Sequence, residues 1–385
     1  MKKKLLVGFL ALALALTGCA GGGKTGNSGG SDDKILVGGL GPLTGKVAIY
    51  GITSTNGAKL AFDEINAAGG ILGKQVEFLL EDEKGEVNEA KNAFGKLVNQ
   101  NIVALIGDIT SGPSYAVGED AQEYGVPMIT PTGTQFNITE GRDKVFRVCF
   151  TDPYQGVILA KYVKENLKKD NVAVMRNTSS DYSNGVVEQF EKTAKELGLT
   201  ITDIVSYGDD DKDFKAQLSQ LKAKNPEVLM IPDYYEKIAL IAPQAREVGI
   251  DALFLGPDGW DGVVQQLSGD EKGLKTIDGA VFANHYSTQD TNEKVQHFVK
   301  AYREKYKEEP TAFSALSYDA VYLLKAAIEK ANSTDREAIA KALNDIQFKG
   351  VTGNLKFDEN HNPIKDVTMV KIQDGQYVLD TVVKN

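Results

Sequence analysis

The amino-acid sequence predicts an α/β fold with two doubly wound parallel-sheet lobes joined by several chain crossings. Short apolar strands alternate with amphipathic helices along most of the chain, a pattern typical of parallel sheets covered by helices on both faces. The alternation runs in two series, before and after Arg147, which favours two sheets over one. The chain has 385 residues, enough for two or three domains of ordinary size.

The first series begins with a short apolar run at residues 35–40, followed by a glycine-rich turn. A helix comes next, because Ala58, Phe62 and Ile65 recur at helical spacing and fall on one face. The glycine pair at 69–70 ends that helix. The series continues with predicted strands at 76–80, 102–106 and 126–129 and predicted helices at 88–100 and 113–124.

The second series repeats this pattern, and the C-terminal part then breaks it. Its predicted strands are 172–175, 201–205, 228–231 and 253–255. Its predicted helices are 153–167, 214–223, 238–248 and one that carries Val187, Phe190, Ala194 and Leu197. The C-terminal part has predicted helices at 295–306, 315–330 and 337–343 and short strands at 355–357, 367–372 and 377–382. We expect this part to complete both lobes, so residues 34–151 and 286–356 are assigned to the first lobe and residues 152–285 and 357–385 to the second.

Composition excludes several classes of function. Aspartate and glutamate outnumber lysine and arginine by 53 to 43, so the formal charge is −10 and nucleic acid is not an expected partner. Two cysteines are too few for a disulfide scaffold or a four-cysteine zinc site. The three histidines are far apart in sequence, and none lies in a turn where we expect a ligand. We therefore expect no metal, no cofactor and no catalysis.

The N-terminal residues predict export and attachment to a membrane. Three lysines precede twelve mostly apolar residues at 5–16, which would span about 18 Å as a helix, too short to cross a bilayer. This is the layout of a signal peptide. It ends in Leu16-Thr17-Gly18-Cys19, which resembles the lipobox of bacterial lipoproteins, in which the peptide is cut before the cysteine and the cysteine is diacylated. We expect residues 1–18 to be the signal peptide, Cys19 to carry lipid, and glycine-rich residues 19–33 to be a flexible tether.

Two turns that follow predicted strands carry clusters of hydroxyl groups. Ser111 precedes Pro113, which suits the first position of a helix, and residues 130–134 read Thr-Pro-Thr-Gly-Thr. A hydroxyl beside the free N–H groups of a helix N-terminus suits a small anion such as a carboxylate. Helix capping is the alternative interpretation of each cluster.

The chain from about residue 35 to its C-terminus resembles the branched-chain amino-acid-binding proteins of ABC transporters, which have the type I periplasmic-binding fold. The segments that match in order and spacing are 41–51, 62–71, Ile106-Gly107 with Ser111, Ile129-Thr130-Pro131 with Thr134, 181–185, Tyr234-Tyr235 and 256–259. The resemblance implies that a free amino acid binds between the lobes and is passed to a membrane permease.

The resemblance also implies how the polar ends of the ligand are held. Ser111 and Thr134 match positions that bind the α-carboxylate, and Thr132 and Gly133 fall where a backbone carbonyl helps to bind the ammonium group. Asp258 matches the acidic residue that pairs with the ammonium group. The family often has glutamate at that position, so the carboxylate here is one methylene shorter and the ligand position can shift.

The apolar side chain of the ligand is expected to contact aromatic rings. Tyr182 and Tyr234 match second-lobe tyrosines that face the ligand, and Tyr50 matches an aromatic residue near the side-chain pocket. Trp260 either lines the pocket or caps the lobe, and Tyr286 is a further candidate contact near a chain crossing. Cys149 has only Cys19 as a partner in the sequence, so we expect a buried, unreactive thiol.

These observations predict a receptor outside the cytoplasm, anchored to a membrane by lipid, that binds an aliphatic amino acid of the Leu/Ile/Val type and feeds an ABC importer. We expect the protein to be a monomer. The alternative is a two-lobed amino-acid sensor that signals through a membrane partner.

Overall fold

The computed structural model describes residues 34–384, so the predicted signal peptide, Cys19 and the tether lie outside the described residues. The first series of strands and helices is present. Its strands are β1 (Ile35–Gly41), β2 (Val76–Asp82), β3 (Ala104–Ile106), β4 (Met128–Thr130) and β5 (Val145–Arg147), and its helices are α1 (Ala48–Ala67), α2 (Val87–Asn99) and α3 (Ser111–Glu123).

The second series is present as well and has more elements than predicted. Its strands are β6 (Asn171–Asn177), β7 (Thr200–Tyr207), β8 (Val228–Met230), β9 (Leu253–Gly256) and β10 (Val281–Asn284). Its helices are α4 (Asp152–Tyr162), α5 (Asp181–Leu197), α6 (Lys215–Lys222), α7 (Tyr235–Glu247), α8 (Val263–Gln266) and α9 (Glu271–Ile277). Strands β5 and β10 and helices α8 and α9 were not predicted, because each is too short to show a period in the sequence.

The C-terminal part contributes three helices and four strands. The helices are α10 (Glu293–Tyr306), α11 (Ala312–Ala331) and α12 (Arg336–Asn344). The strands are β11 (Gln347–Gly350), β12 (Gly353–Lys356), β13 (Val367–Gln373) and β14 (Gln376–Val383). Strands β11 and β12 pair with each other in a separate two-stranded sheet.

The two main sheets share one strand order. The first is β2-β1-β3-β4-β5 and is parallel throughout, and the second contains β7-β6-β8-β9-β10 in the same arrangement. The second sheet continues into β13 and β14, which run antiparallel, so this edge differs from the parallel strands of the rest of the sheet. The reason is local: Asp374-Gly375 forms a two-residue turn with both φ values positive, a turn that joins antiparallel strands.

We call the five-stranded sheet with its packed helices the first lobe, and the seven-stranded sheet with its helices the second lobe. Helix α11 is the main addition to the first lobe from the C-terminal part, where it packs against α1, β3 and β4. Between the sheets the chain crosses three times, after β5, after β10 and after β12. Within residues 34–384, no helix is both long and apolar enough to span a bilayer.

Among the helix starts that differ from the predictions, those of α3 and α7 lie at the carboxyl ends of strands beside the cavity. Helix α3 begins at Ser111 rather than at Pro113, and α7 begins at Tyr235 rather than at residue 238. Proline is tolerated at the third position because the first-turn N–H groups have no partner within a helix. Ser111 is therefore inside the first turn of α3, and its own N–H is one of these unpaired donors.

Candidate functional site

The strand order that the two sheets share indicates where to look for a ligand site. In sheets of this order, ligands bind beyond the carboxyl ends of the strands, where neighbouring connections run to opposite faces. The loops after β1, β2 and β3 face those after β6, β7 and β8 across a cavity of about 530 Å³. Ser111, Tyr182 and Tyr234 line this cavity. Thr132, Thr134 and Asp258 are buried near it rather than in its wall.

On the first lobe, two hydroxyl groups meet. Ser111 Oγ lies 3.5 Å from Thr134 Oγ1, and both residues are buried. Helix α3 has no side-chain cap of its own, so its N-terminus presents free N–H groups beside these hydroxyls. The hydroxyl of Tyr234, from the second lobe, lies 3.5 Å from the N–H of Ser111. This corner is a donor-rich environment suited to a carboxylate.

The loop after β4 is held rigidly by hydrogen bonds. Thr132 donates from Oγ1 to the carbonyl of Ile109 at 2.6 Å, and the N–H of Gly133 donates to Thr130 Oγ1 at 2.9 Å. The buried guanidinium of Arg147 donates to the carbonyl oxygens of Gly133, Gln135 and Phe136, each at 2.9 Å. The Gly133 carbonyl is therefore already bound by the protein.

Cys149 is a buried free thiol, as the sequence predicts. Its Sγ lies 3.3 Å from the Gly133 carbonyl oxygen, which Arg147 also binds. Burial raises the pKa of the thiol to about 12, so the group stays protonated and unreactive at neutral pH.

On the second lobe, Asp258 follows β9 and its carboxylate accepts three hydrogen bonds. Tyr182 donates from its hydroxyl to Oδ1 at 2.7 Å, and Gln155 donates from Nε2 to the same oxygen at 3.1 Å. His285 Nε2 lies 3.0 Å from Oδ2. Gln155 also accepts from the backbone N–H of Asp258 at 2.9 Å, so one side chain fixes both the main chain and the carboxylate.

His285 corrects the expectation that no histidine lies in the turns that matter. It directly follows β10, its side chain is fully buried, and its ring stacks on Phe150 with 3.8 Å between ring centroids. Burial lowers the pKa of the imidazole to about 4, so the ring is neutral at pH 7. A carboxylate only accepts, so Nε2 carries the proton that is donated to Asp258. The four-residue length of β10 hid this position in the sequence.

Asp152 and Gln155 were also missed: both lie in the first turn of α4, a helix that the sequence predicts, but nothing in its local pattern marks these two residues as part of a site. Asp152 is fully buried, and burial raises the pKa of its carboxyl group well above the ordinary value, while the nearby Thr134 hydroxyl opposes this. Gln155 Nε2 lies 3.5 Å from Asp152 Oδ1, and Asp152 Oδ2 has no hydrogen-bond partner among residues 34–384. Asp152 and Gln155 thus connect the Thr134 corner with Asp258.

Three tyrosines form an aromatic wall across the two lobes. Tyr182 stacks on Tyr234 with 4.9 Å between centroids, and Tyr50 of the first lobe meets Tyr234 edge-on at 5.6 Å. The hydroxyl of Tyr50 donates to the Gly259 carbonyl of the second lobe at 2.5 Å. The structure therefore brings together every tyrosine that the resemblance placed at the ligand.

Trp260 and Tyr286 lie elsewhere. Trp260 is fully buried in the core of the second lobe with Phe254 and Phe282, and its Nε1 donates to the Ile231 carbonyl at 2.8 Å. Tyr286 donates its hydroxyl to the Pro310 carbonyl at 2.9 Å in the core of the first lobe. The polar group of each side chain has its hydrogen-bond acceptor away from the cavity. Of the two interpretations of Trp260, this geometry favours a packing role.

Comparisons with known proteins agree with this architecture. Residues 34–376 match the model of a periplasmic binding protein family. A Leucine-, isoleucine-, valine-, threonine-, and alanine-binding protein of Pseudomonas aeruginosa is 31% identical over 331 residues, 85% of this chain and 86% of that protein. A Leu/Ile/Val-binding protein of Rhizobium johnstonii is 36% identical over 319 residues, 81% of this chain and 83% of that protein.

Two crystal structures are similar over most of their length. The leucine-binding protein of Thermotoga maritima shares 35% identity and superposes with a TM-score of 0.85, covering 91% of this chain and 99% of that one. The branched-chain amino acid transporter substrate-binding protein of Streptococcus pneumoniae, in complex with isoleucine, shares 34% identity with the same TM-score and the same coverage. The family model that matches residues 34–376, together with relatives 31% and 36% identical over more than four-fifths of the chain, shows that this protein belongs to the periplasmic binding protein family.

Proposed function

We propose that the protein captures a free aliphatic amino acid between its lobes outside the cytoplasm and delivers it to an ABC importer. The observation that carries the proposal is a buried carboxylate on one lobe, Asp258, opposite a corner of hydroxyl and N–H donors on the other. A zwitterion that leaves water needs both charges matched, because each unmatched buried ion costs several kcal/mol. The cleft offers one partner for each charge.

The ligand carboxylate binds at Ser111 and Thr134. Their hydroxyls and the free N–H groups at the start of α3 donate to it, and the hydroxyl of Tyr234 gives up its long contact with the Ser111 N–H. The ammonium group binds Asp258. Three protein donors already use part of this carboxylate, and about four acceptor sites are available on such a group, so one remains for the ligand.

A backbone carbonyl completes the ammonium site, and the structure favours Thr132 over Gly133 for this role. Arg147 and Cys149 already bind the Gly133 carbonyl. The Thr132 carbonyl has no hydrogen-bond partner among the described residues, so it is available to a ligand. Tyr50, Tyr182 and Tyr234 cover the aliphatic side chain, because tyrosine offers a large apolar face while its hydroxyl stays hydrogen-bonded.

The relatives support the aliphatic ligand class, since those named above bind leucine, isoleucine or valine by name and one was crystallised with isoleucine. We propose that the receptor is not an enzyme. The buried Asp258, Asp152 and His285 resemble a catalytic set, but His285 stays neutral and bonded to Asp258, an arrangement that fixes the carboxylate. Across the described residues there is no cluster of three or more histidine, cysteine or acidic residues that could hold a metal ion.

We also propose the lobe boundaries 34–151 with 286–356 and 152–285 with 357–385, a monomeric state, and lipid attachment at Cys19, outside the described residues. The sheet membership of β1–β5 and of β6–β10 with β13 and β14 supports the boundaries. A Cys19→Ser change should move the protein from the membrane fraction to the soluble fraction. Retention of the Cys19→Ser protein in the membrane fraction would contradict a lipid anchor at this residue.

A screen by thermal denaturation tests the ligand class. At 100 times its dissociation constant, a ligand stabilises the folded protein by about 2.7 kcal/mol. Leucine, isoleucine or valine should therefore raise the melting temperature, whereas 4-methylpentanoate, which lacks the amino group, and isoamylamine, which lacks the carboxylate, should not. A shift with either analogue as large as that with leucine would contradict recognition of both charges.

A further inference from the structure

Two helices begin at the cleft, one in each lobe, and neither is capped by its own N-cap side chain. Helix α1 begins after Val47 and helix α7 begins after Tyr234, and neither residue makes a side-chain cap hydrogen bond. The first-turn N–H groups of a helix have no partner within that helix. The first-turn N–H groups of both helices therefore need hydrogen-bond acceptors from outside the helix.

Each helix is capped by a tyrosine of the other. The hydroxyl of Tyr235, in α7, accepts from the N–H of Ile49 at 3.0 Å and donates to the carbonyl of Lys46 at 3.2 Å. The hydroxyl of Tyr50, in α1, accepts from the N–H of Tyr235 at 3.2 Å and donates to the carbonyl of Gly259 at 2.5 Å. Each hydroxyl makes one donated and one accepted bond, and all four bonds cross between the lobes.

The apolar parts of the same residues also meet across the cleft. The rings of Tyr50 and Tyr235 pack edge to face with 4.7 Å between centroids, and Tyr50 stacks on Phe313 at 4.1 Å. Tyr50 and Tyr235 are each only 1% exposed. Val47 and Ile109 of the first lobe join the same apolar cluster, which otherwise consists mostly of second-lobe residues. Separating the lobes would expose both rings and return four hydrogen bonds to water.

We infer that Tyr50 and Tyr235 form a reciprocal cross-lobe helix cap, and that Tyr235 sets how long the bound amino acid is held without contacting it. The inference rests on the proposed function, since it assumes that the ligand leaves only when the lobes part. The hydroxyl of Tyr235 is fully used by Lys46 and Ile49, so it has no bond to offer a ligand. All four hydrogen bonds join the two lobes, so the cap exists only while the lobes are together, which we call the closed state. The cap therefore stabilises the closed state alone. It should therefore slow dissociation and leave association little changed.

Tyr235→Phe tests the inference, with Tyr377→Phe as the matched control. Tyr377 also caps a helix, α8, but within the second lobe. Its hydroxyl accepts from the N–H of Gly262 at 2.9 Å and from the N–H of Val264 at 3.4 Å. Stopped-flow measurement with leucine should show dissociation about tenfold faster in Tyr235→Phe, because two hydrogen bonds of the closed state are lost. Association should stay within about twofold. In Tyr377→Phe both rate constants should stay within about twofold of wild type. A dissociation rate for Tyr235→Phe equal to that of the control would overturn the inference, and so would a change confined to association.

A second measurement separates this inference from the proposed function. Spin labels at the exposed positions Asn88 in the first lobe and Lys192 in the second report the distance between lobes without any ligand. The cap predicts that Tyr235→Phe reduces the population at the short distance, while Tyr377→Phe does not. If no amino acid binds, the proposed function fails, and the cap is judged by this distance distribution alone. A distribution that Tyr235→Phe leaves unchanged would contradict the cap.

Discussion

Gln155 holds Asp258 at two points, the carboxylate and the backbone N–H. It donates to the Asp258 carboxylate and accepts from the Asp258 N–H, and its Nε2 also lies beside Asp152. A glutamine bridge suits this place because it can donate to two buried carboxyl groups while accepting from the backbone. The proposed ammonium site is thus fixed by an amide that sequence reasoning did not identify.

Gln155→Glu keeps the shape of the side chain but replaces the donor with an acceptor. We expect leucine affinity to fall by about 100-fold or more, because a third acidic group would then lie against Asp152 and Asp258 and leave Asp258 without its amide donor. Gln122→Glu is the control, since Gln122 Nε2 also donates to an aspartate, Asp143, but at the surface of the first lobe. Calorimetric titration measures both variants. Equal affinities in the two would contradict the positioning role of Gln155.

Glu83 and Asp108 form a second buried acidic pair, next to the cleft loops. Burial and the mutual charge raise the pKa of the Glu83 carboxyl group, and burial raises that of Asp108. Glu83 Oε1 and Asp108 Oδ2 have no hydrogen-bond partner within residues 34–384, and an interaction with the Glu83 side chain opposes the rise in the pKa of Asp108, which fits two carboxyl groups that share one proton. The folded state keeps this proton at pH values where unfolded carboxyl groups, with pKa near 4, have lost theirs.

The buried pair makes the free energy of unfolding depend on pH. Above about pH 4 the folded state binds more protons than the unfolded state at this pair, so the pair makes the free energy of unfolding fall as the pH rises. Glu83→Gln replaces the shared proton with a permanent N–H donor. The variant should be more stable than wild type by about 1–3 kcal/mol at pH 8, with the advantage shrinking as the pH falls towards 4. Urea denaturation at both pH values checks this, and a variant less stable than wild type at pH 8 would contradict the shared proton.

Sequence reasoning identified the hydroxyl groups that meet in the first-lobe half of the candidate site, but only some of the residues around Asp258 in the second-lobe half. Ser111 and Thr134 lie in the turns that follow predicted strands, where polar residues meet at one edge of a parallel sheet. His285 was missed because β10 has only four residues and its four positions are all buried, so no alternation marked it. Asp152 and Gln155 were missed because their role depends on packing against Asp258, about a hundred residues away in sequence.

At the scale of elements, the loop after β4 depends on a single cation. Arg147, on β5, is fully buried and donates to three carbonyl oxygens between residues 133 and 136 and to the hydroxyl of Thr139. A planar guanidinium can reach several acceptors in one plane, whereas a lysine ammonium is a compact group on a flexible stem. The position of Thr132 and Thr134 therefore depends on the shape of Arg147 as well as on its charge.

Arg147→Lys should lower the free energy of unfolding by about 3 kcal/mol, because the carbonyls that the ammonium cannot reach stay buried without a donor. The affinity for leucine should fall as well, since Thr134 belongs to this loop. Arg176→Lys is the control: Arg176 bonds Asn184 and Glu188 in the second lobe and is only partly buried. Denaturation and calorimetry measure both effects, and similar values for the two variants would contradict the role of Arg147.

At the scale of the whole molecule, the C-terminal part decides whether the first lobe is complete. Residues of α10, α11 and α12 share one apolar core with β1, α1 and β3. Sequence reasoning assigned residues 286–356 to the first lobe, but the α/β alternation does not show that α11 packs against α1, β3 and β4. Long-range packing of this kind leaves no local signal in the sequence.

A chain ended after residue 151 should consequently fail to fold. It keeps β1–β5 but loses α11, whose buried residues cover α1, β3 and β4. Circular dichroism and thermal denaturation should show no cooperative transition for residues 34–151, in contrast to the chain of residues 34–385. A sharp transition in the fragment would contradict the shared core.

The central claim is that Asp258 holds the ammonium group of an aliphatic amino acid. Titration calorimetry of leucine into wild type, Asp258→Asn and Asp319→Asn tests it most directly. Asp319 is also a fully buried carboxylate, but it accepts from Val351 and Thr352 in the first lobe, away from the cleft. We predict that Asp258→Asn lowers leucine affinity by at least about 100-fold, as expected when a buried ion loses its partner, while Asp319→Asn lowers stability and leaves affinity within a few-fold. An Asp258→Asn protein that is folded and binds leucine as wild type does would contradict the account.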